Sequence, residues 1–326
     1  MTATEIGAAA EAPAQAAAPG AGGPAAAPAP PPAPASAAPA SAAPASPAPA
    51  SPAPRRPGGA LRVVALTMSL LGMLMVGFIL YLYGLSSLSE AHAQSTLYKT
   101  FAGQLGAATA PTGPVAEGSP VAILGIPNLG ISDLVVVEGT TSADLTHGPG
   151  LLSSSAFPGQ SGTSVIYGRA ATFGGPFAHL MTLNRGERIT VVTGEGTSVY
   201  SVESFGDSAH PAANPAANQL VLYTADSSIL AGGYEQVTAD LVTQPMASNP
   251  GANATASAQE APMAADTGVA IPLILWFEAL AAVVIGTGLL ARRWSTPMVL
   301  LYATPAALAL AWAVYENLAI MLPNLY

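Results

Sequence analysis

The chain has 326 residues, 51% of them hydrophobic and only 8% charged, with a net charge of −9 and no cysteine. That length allows one or two domains, and that apolar balance argues against a wholly soluble protein. The absence of cysteine excludes disulfides and thiolate chemistry, and the acidic balance argues against a nucleic-acid partner.

Residues 1–60 are almost entirely Ala, Pro, Gly and Ser, with repeats such as Ala35-Ser-Ala-Ala-Pro and Ala45-Ser-Pro-Ala-Pro. Frequent proline blocks helix, and small side chains bury too little surface to offset chain entropy. This composition predicts a disordered cytoplasmic tail. Residues 61–84 form the first run apolar enough to cross a bilayer, which takes about 20 residues. Arg55, Arg56 and Arg62 flank it, and Ala91-His92-Ala93 resembles a cleavage site. The run exceeds the roughly 7–15 residues of a signal-peptide core, so it reads as a retained anchor. Residues 85–119 read as a helical stalk and linker, 120–244 as a β domain, and 245–267 as a return linker. Residues 268–291 and 297–322 are two more spans, joined by a turn that carries Arg292 and Arg293. Basic residues favour the cytoplasmic side, so the N-terminus and that turn are placed inside and the β domain outside. The expected location is the plasma membrane, multi-pass. Gly84–Gly268 holds four basic and fourteen acidic residues, an outer region unsuited to anionic lipid headgroups.

Within the β domain, strand-like runs occur at Val121–Ile126, Leu134–Glu138, Thr163–Gly168, Arg188–Thr193, Ser198–Phe205, Gln219–Thr224 and Gln236–Val242. Gly- and Pro-rich turns separate them. Pattern alone allows an antiparallel barrel or a sandwich.

The motifs supply more. Ile126-Pro127 closes the first strand, and Val137-Glu-Gly-Thr140 follows. Next come Leu145-Thr-His-Gly-Pro-Gly150, Phe157-Pro-Gly-Gln-Ser-Gly162, Val165-Ile-Tyr-Gly168 and Phe173-Gly-Gly-Pro-Phe-Ala-His-Leu180. Leu183-Asn-Arg-Gly-Glu187, Tyr200-Ser-Val202, Leu220-Val-Leu-Tyr-Thr224 and Val237-Thr-Ala239 complete the order. Over this stretch the chain resembles the sortases, cysteine transpeptidases of the cell envelope, in particular their actinobacterial class D/E type. The resemblance implies an all-β, eight-stranded closed barrel, to which this chain adds three transmembrane helices and the disordered tail.

The resemblance also implies where chemistry belongs. Sortases place histidine after the glycine of the Val-Ile-x-Gly strand, where this chain has Arg169. They place cysteine after the Leu-x-Leu-x-Thr strand, where Ala225 stands. Their arginine before the last strand falls at Tyr234, with Glu235 as the neighbouring register. Acyl transfer needs a nucleophile, a group to manage its proton and a donor for the oxyanion. Alanine has no lone pair, arginine stays protonated and tyrosine carries no charge, so no catalytic residue is expected. Thr224, Asp226, Ser227 and Ser228 flank the alanine, but a substitute serine needs a base. His92 falls in the stalk, His147 in a turn, His179 on a short helix and His210 in a solvated loop. No histidine spacing suggests a metal site, and no cofactor is expected.

What remains is a groove in which Arg169, Thr224 and Tyr234 are candidate binding residues. Arg169 either grips a carboxylate, a phosphate or a peptide carbonyl, or pairs with Asp226 or Glu235 and plugs the corner. Glu278 and Glu316 lie inside apolar spans, where a charge costs at least about 2.5 kcal/mol and often marks a partner. They either meet a partner's cation or donor, or snorkel or share a proton within the hairpin. The expected function is that of a catalytically inactive, sortase-like binding or scaffolding subunit of an envelope complex, partnered by a membrane protein or an envelope peptide. An active class D/E-like transpeptidase and an envelope ligand sensor are the rivals.

Overall fold

A computed structural model describes residues 59–212, 217–226, 232–247 and 257–326. The chain divides into Met1–Arg56 and Pro57–Tyr326. The tail expected over residues 1–60 falls almost wholly outside the described residues, as do Ser227 and Ser228.

Eight strands form a closed barrel. They are β1 (Pro120–Ile126), β2 (Ile131–Glu138), β3 (Gly150–Leu151), β4 (Gly162–Tyr167), β5 (Arg188–Thr193), β6 (Gly196–Asp207), β7 (Asn218–Ala225) and β8 (Tyr234–Leu241). Their order around the barrel is β1-β2-β3-β4-β7-β8-β6-β5. Closure leaves no sheet edge, which decides between the barrel and the sandwich that pattern alone allowed. Alternation sorts the side chains, so that Leu220 and Leu222 join Leu124, Ile126, Ile166, Ile189 and Val237 in the core. Tyr223 and Ala225, one step out of phase, join a second cluster on the other face of β7. Alternation did not reveal β3, because a two-residue strand is too short to alternate. It exists where Gly150 approaches the Gly139 carbonyl so closely that any Cβ would collide with it, so only glycine fits.

Three helices are long and apolar enough to cross a membrane, within Leu61–Gly106, Ala270–Leu290 and Pro297–Ile320. The first comprises α1 (Gly59–Leu80), a π-helical turn (Tyr81–Leu85) and α2 (Ser86–Gly106); the others are α3 (Ala270–Leu290) and α4 (Thr296–Ile320). α2 is not a free stalk. Its Phe101 is fully buried, and the Gln94 amide donates to Val135 O (3.0 Å) and His147 O (2.8 Å) while accepting from Val135 N (2.8 Å).

Where α1 passes into α2, the π-helical turn aims a buried Tyr81 at both α4 and the barrel. Its ring meets Trp312 edge-on at 5.2 Å and Phe173 edge-on at 6.4 Å. Phe173 adopts φ +51, a left-handed conformation rare for a bulky residue. Its N–H donates to Ser86 Oγ (3.0 Å), which helps hold it there. The segment expected as a return linker is partly built into the domain. Met246 bridges to Gln160, and Glu260 is buried, accepting from Ser153 Oγ (2.6 Å) and Ser257 N (2.8 Å). Past α4 the chain turns into the barrel, and Leu325 is fully buried there.

Candidate functional site

β4 runs parallel to β7 with Tyr167 level with Tyr223, and Gly168 N donates to Tyr223 O (2.9 Å). Arg169 therefore leaves the sheet level with Ala225 at the end of β7. A Cβ on Gly168 would collide with the buried Phe177 ring, so this exit requires glycine. β8 pairs antiparallel with β7 and sets Tyr234 opposite Ala225. One end of the barrel thus gathers Arg169, Ala225 and Tyr234.

Ala225 is 2% exposed, clustered with Leu145, Tyr167 and Leu325 and edged by Tyr223, Tyr234 and Met263. Tyr223 stacks edge-on with both Tyr167 and Tyr234, each pair at 5.2 Å. Burial pushes the phenols of Tyr167 and Tyr223 above the ordinary tyrosine range, so both stay neutral donors. Thr224 does not join them. Strand alternation turns it to the opposite face, alongside Glu235, where its hydroxyl is buried without a hydrogen-bond partner among the described residues. Asp226 N donates to Gly233 O (3.1 Å), one step beyond the Ala225–Tyr234 pair.

Arg169 is 1% exposed, the largest fully buried side chain among the described residues. Nε donates to Leu145 O (3.1 Å), and Nη2 donates to Ser142 O (2.8 Å) and Ser142 Oγ (2.9 Å). Nη1 donates to Thr172 Oγ1 (3.2 Å) and Tyr326 O (3.3 Å). The guanidinium carbon also lies 4.9 Å from the centroid of the Phe173 ring. The sequence left open a pairing with Asp226 or Glu235; the hydrogen bonds go instead to backbone and hydroxyl oxygens. Burial pushes the guanidinium down to about 9, which leaves it protonated at neutral pH and unable to accept a proton.

The space over Ala225 is filled by the chain itself. Ala170 N donates to Leu325 O (2.9 Å), and Thr172 Oγ1 donates to Tyr326 O (2.6 Å). Asn324 Nδ2 donates to Thr140 O (2.9 Å) and Ala261 O (3.0 Å), Asn324 N donates to Ala264 O (2.9 Å), and Ser142 Oγ donates to Leu322 O (3.2 Å). Sequence reasoning missed Ser142, Thr172, Asn324 and Tyr326. It ended the third span at Leu322 and left the last residues unassigned, and a contact between positions some 150 residues apart leaves no local pattern.

Among the described residues, three carboxyls are buried, Glu138, Asp144 and Glu260, the last joined to Thr140 through its main-chain oxygen. Burial raises Glu138 to about 7, with the charge of Glu260 adding and a Ser153 hydrogen bond opposing. Burial also raises Asp144, against hydrogen bonds from Thr141. Among the described residues, no group of His, Asp or Glu is arranged to hold a metal ion. All four histidines are at least partly exposed, and His210 lies 3.5 Å from the Asp207 carboxylate. In the helices, Glu316 accepts from Trp312 Nε1 (2.7 Å), whereas Glu278 is exposed on α3.

The sequence profile of the sortase domain matches residues 124–230. No curated protein matches the chain. Among solved structures, the chain is similar to a sortase D5 transpeptidase from Clostridium perfringens, at 17% identity and TM-score 0.40, over 47% of this chain and 99% of that one. It is similar to sortase E from Streptomyces avermitilis at 25% identity and TM-score 0.35, over 40% and 93%. It is also similar to sortase E1 from Streptomyces coelicolor, solved with a tripeptide in the active site, at 21% identity and TM-score 0.36, over 39% and 91%.

Proposed function

We propose that this chain, which belongs to the sortase family through its domain at residues 124–230, is a catalytically inactive member that serves as a binding or scaffolding subunit of a cell-envelope complex. The observation that carries the reading is Ala225 at the end of β7, in the position the family gives to its nucleophile, sealed beneath Leu325. A methyl group cannot attack a carbonyl, and a protonated arginine at the histidine position cannot draw off a proton. Tyr234, at the position of the family's arginine, offers a neutral hydroxyl to a developing oxyanion.

Three membrane-length helices, with basic residues clustered at Arg55, Arg56, Arg62, Arg292 and Arg293, support an extracytoplasmic barrel. The partner is a membrane protein or an envelope peptide. Glu278 supports the first, because a carboxylate exposed on a membrane-length helix is costly against lipid and is relieved by a cation or donor on a neighbouring helix.

The full-length protein in mild detergent is expected to cleave a sorting-signal pentapeptide no faster than buffer does. Ala225→Cys alone is expected to stay inactive, because Arg169 still cannot serve as base. Turnover by the unaltered chain that scales with protein concentration would overturn the reading. A stoichiometric membrane partner is expected to co-purify and to be depleted at least severalfold by Glu278→Leu; unchanged recovery removes α3 from the interface.

A further inference from the structure

We propose that residues 322–326 are a latch: a displaceable segment of this chain that closes the barrel corner in cis and ties its opening to the position of α4. The proposal adds a gate to the inactive-subunit reading and also stands without it, since the contacts are made whatever the corner does when open.

The corner is filled by a short turn of the chain itself, closed by Tyr326 N donating to Pro323 O (3.1 Å). Leu325 is fully buried against Leu145, Tyr167 and Ala225, in space that a larger residue at 225 would contest. On one side, Ala170 N takes the Leu325 oxygen, while Thr172 Oγ1 and Arg169 take that of Tyr326. On the other, Asn324 spans Thr140, Ala261 and Ala264. Three of these contacts end on main-chain oxygens of the segment and two come from the buried Asn324 amide, so the cradle recognises a peptide backbone with one asparagine and one branched apolar side chain. Arg169 is the centre of it: a planar fork that holds the Ser142 and Leu145 loop with one edge and the latch with the other.

The link to the membrane is short. α4 ends at Ile320, and Met321 caps it directly before the latch, so no flexible linker separates them. α4 is fixed to α1 through Tyr315, whose hydroxyl donates to Leu74 O (3.1 Å), and through Trp312 on Tyr81. Tyr81 also touches Phe173, the left-handed residue beside Thr172 whose ring faces Arg169. A side chain at Gly77 would collide with the Tyr315 hydroxyl, so close α1–α4 packing depends on that glycine. A shift of α4 therefore draws on the latch and on the Arg169 loop together.

The test uses the chain in detergent and a fluorescent peptide of sequence Leu-Pro-Asn-Leu-Tyr, as free acid and as amide. The intact chain is expected to bind neither form. A chain stopped after Met321 is expected to bind at least one form saturably, at least tenfold more tightly than the intact chain, and to gain thermal stability on binding. Arg169→Ala in the stopped chain is expected to abolish both effects, as is replacing the second leucine of the peptide by aspartate. Gly77→Leu in the intact chain is expected to admit the peptide at least tenfold more readily. A stopped chain that is folded yet binds neither form overturns the latch, and a folded Gly77→Leu chain that stays closed overturns the coupling to α4. If the stopped chain does not fold, amide exchange at Ala170 in the intact chain decides: protection well above loop rates supports the latch, and exchange at solvent rate overturns it. None of these readouts measures cleavage, so a failed latch leaves the inactive-subunit reading standing, and turnover of a sorting signal does the reverse.

Discussion

Arg169 uses its full fork: five hydrogen bonds to four residues, all within a buried pocket. Lysine carries the same charge on a compact ammonium with three donors and cannot meet Leu145, Ser142, Thr172 and Tyr326 from one plane. Arg169→Lys should therefore behave much like Arg169→Ala, each costing about 2–4 kcal/mol in denaturant unfolding, since a hydrogen bond to a charged group contributes about 1.5–3 kcal/mol. Full rescue by lysine would show that charge, and not the fork, is what matters. A second residue-scale consequence concerns pH. Glu138 has a folded-state value near 7 against an ordinary 4.5, so the folded state binds the extra proton. Its contribution is fully present below about pH 4.5 and is lost as pH rises through about 7. Asp144 is raised as well and adds in the same direction. The thermal midpoint should fall between pH 5 and pH 8, and Glu138→Gln should remove much of that slope. A midpoint that climbs over this range in the unaltered chain would contradict the assignment.

The elements show which parts of this architecture the sequence discloses. Seven of the eight strands are visible from alternation and turn residues, because β-branched runs such as Arg188–Thr193 face the core on one side only. The three helices of membrane-spanning length are visible from hydropathy. Arg169, Ala225 and Tyr234, to which the resemblance assigns the family's chemistry, come together at one end of the barrel because they lie at fixed offsets from strand ends, which register preserves. Thr224 shows the limit of offsets: one residue from Ala225 along β7, it faces the other way, so closeness in sequence misplaces it in the groove. The docking of α2 is hidden for a different reason. β2 pairs with β3 only through Val137 and Glu138, which leaves the backbone of Val135 open on that side. Gln94 fills the gap by offering both an acceptor and a donor, as a neighbouring strand would. Nothing in a helical stretch of mixed polarity singles out that glutamine. Gln94→Ala should leave Val135 N, Val135 O and His147 O without this partner, at a cost of about 2–4 kcal/mol. The matching local signal is faster amide exchange at Val135; unchanged exchange would mean that water replaces the side chain at little cost.

At the scale of the molecule, the barrel and helices form one connected unit rather than a globule on a tether. α1 enters through the Tyr81 turn, α2 lies along the barrel, and the segment after α4 returns into it. This arrangement constrains topology. The end of α1, the segment before α3 and the end of α4 are all tied to the barrel, through Tyr81 with Phe173, through Glu260 with Thr140 and Ser153, and through Leu325 with Ala170. Three helices that each cross once must then place the α3–α4 turn on the opposite side, together with Arg292 and Arg293. The basic residues favour the cytoplasm for that turn, which on the proposed topology puts the barrel outside. Because the chain has no cysteine, single cysteines report this without background. In intact cells, Ser208→Cys in the exposed loop after β6 should react with a membrane-impermeant maleimide, while Ser295→Cys in the α3–α4 turn should react only after permeabilisation. The reverse pattern would invert the whole assembly. Labelling of both in sealed cells would mean that α3 and α4 do not span. The barrel would then sit beside a surface hairpin, and the latch would no longer be governed by movement of a spanning helix.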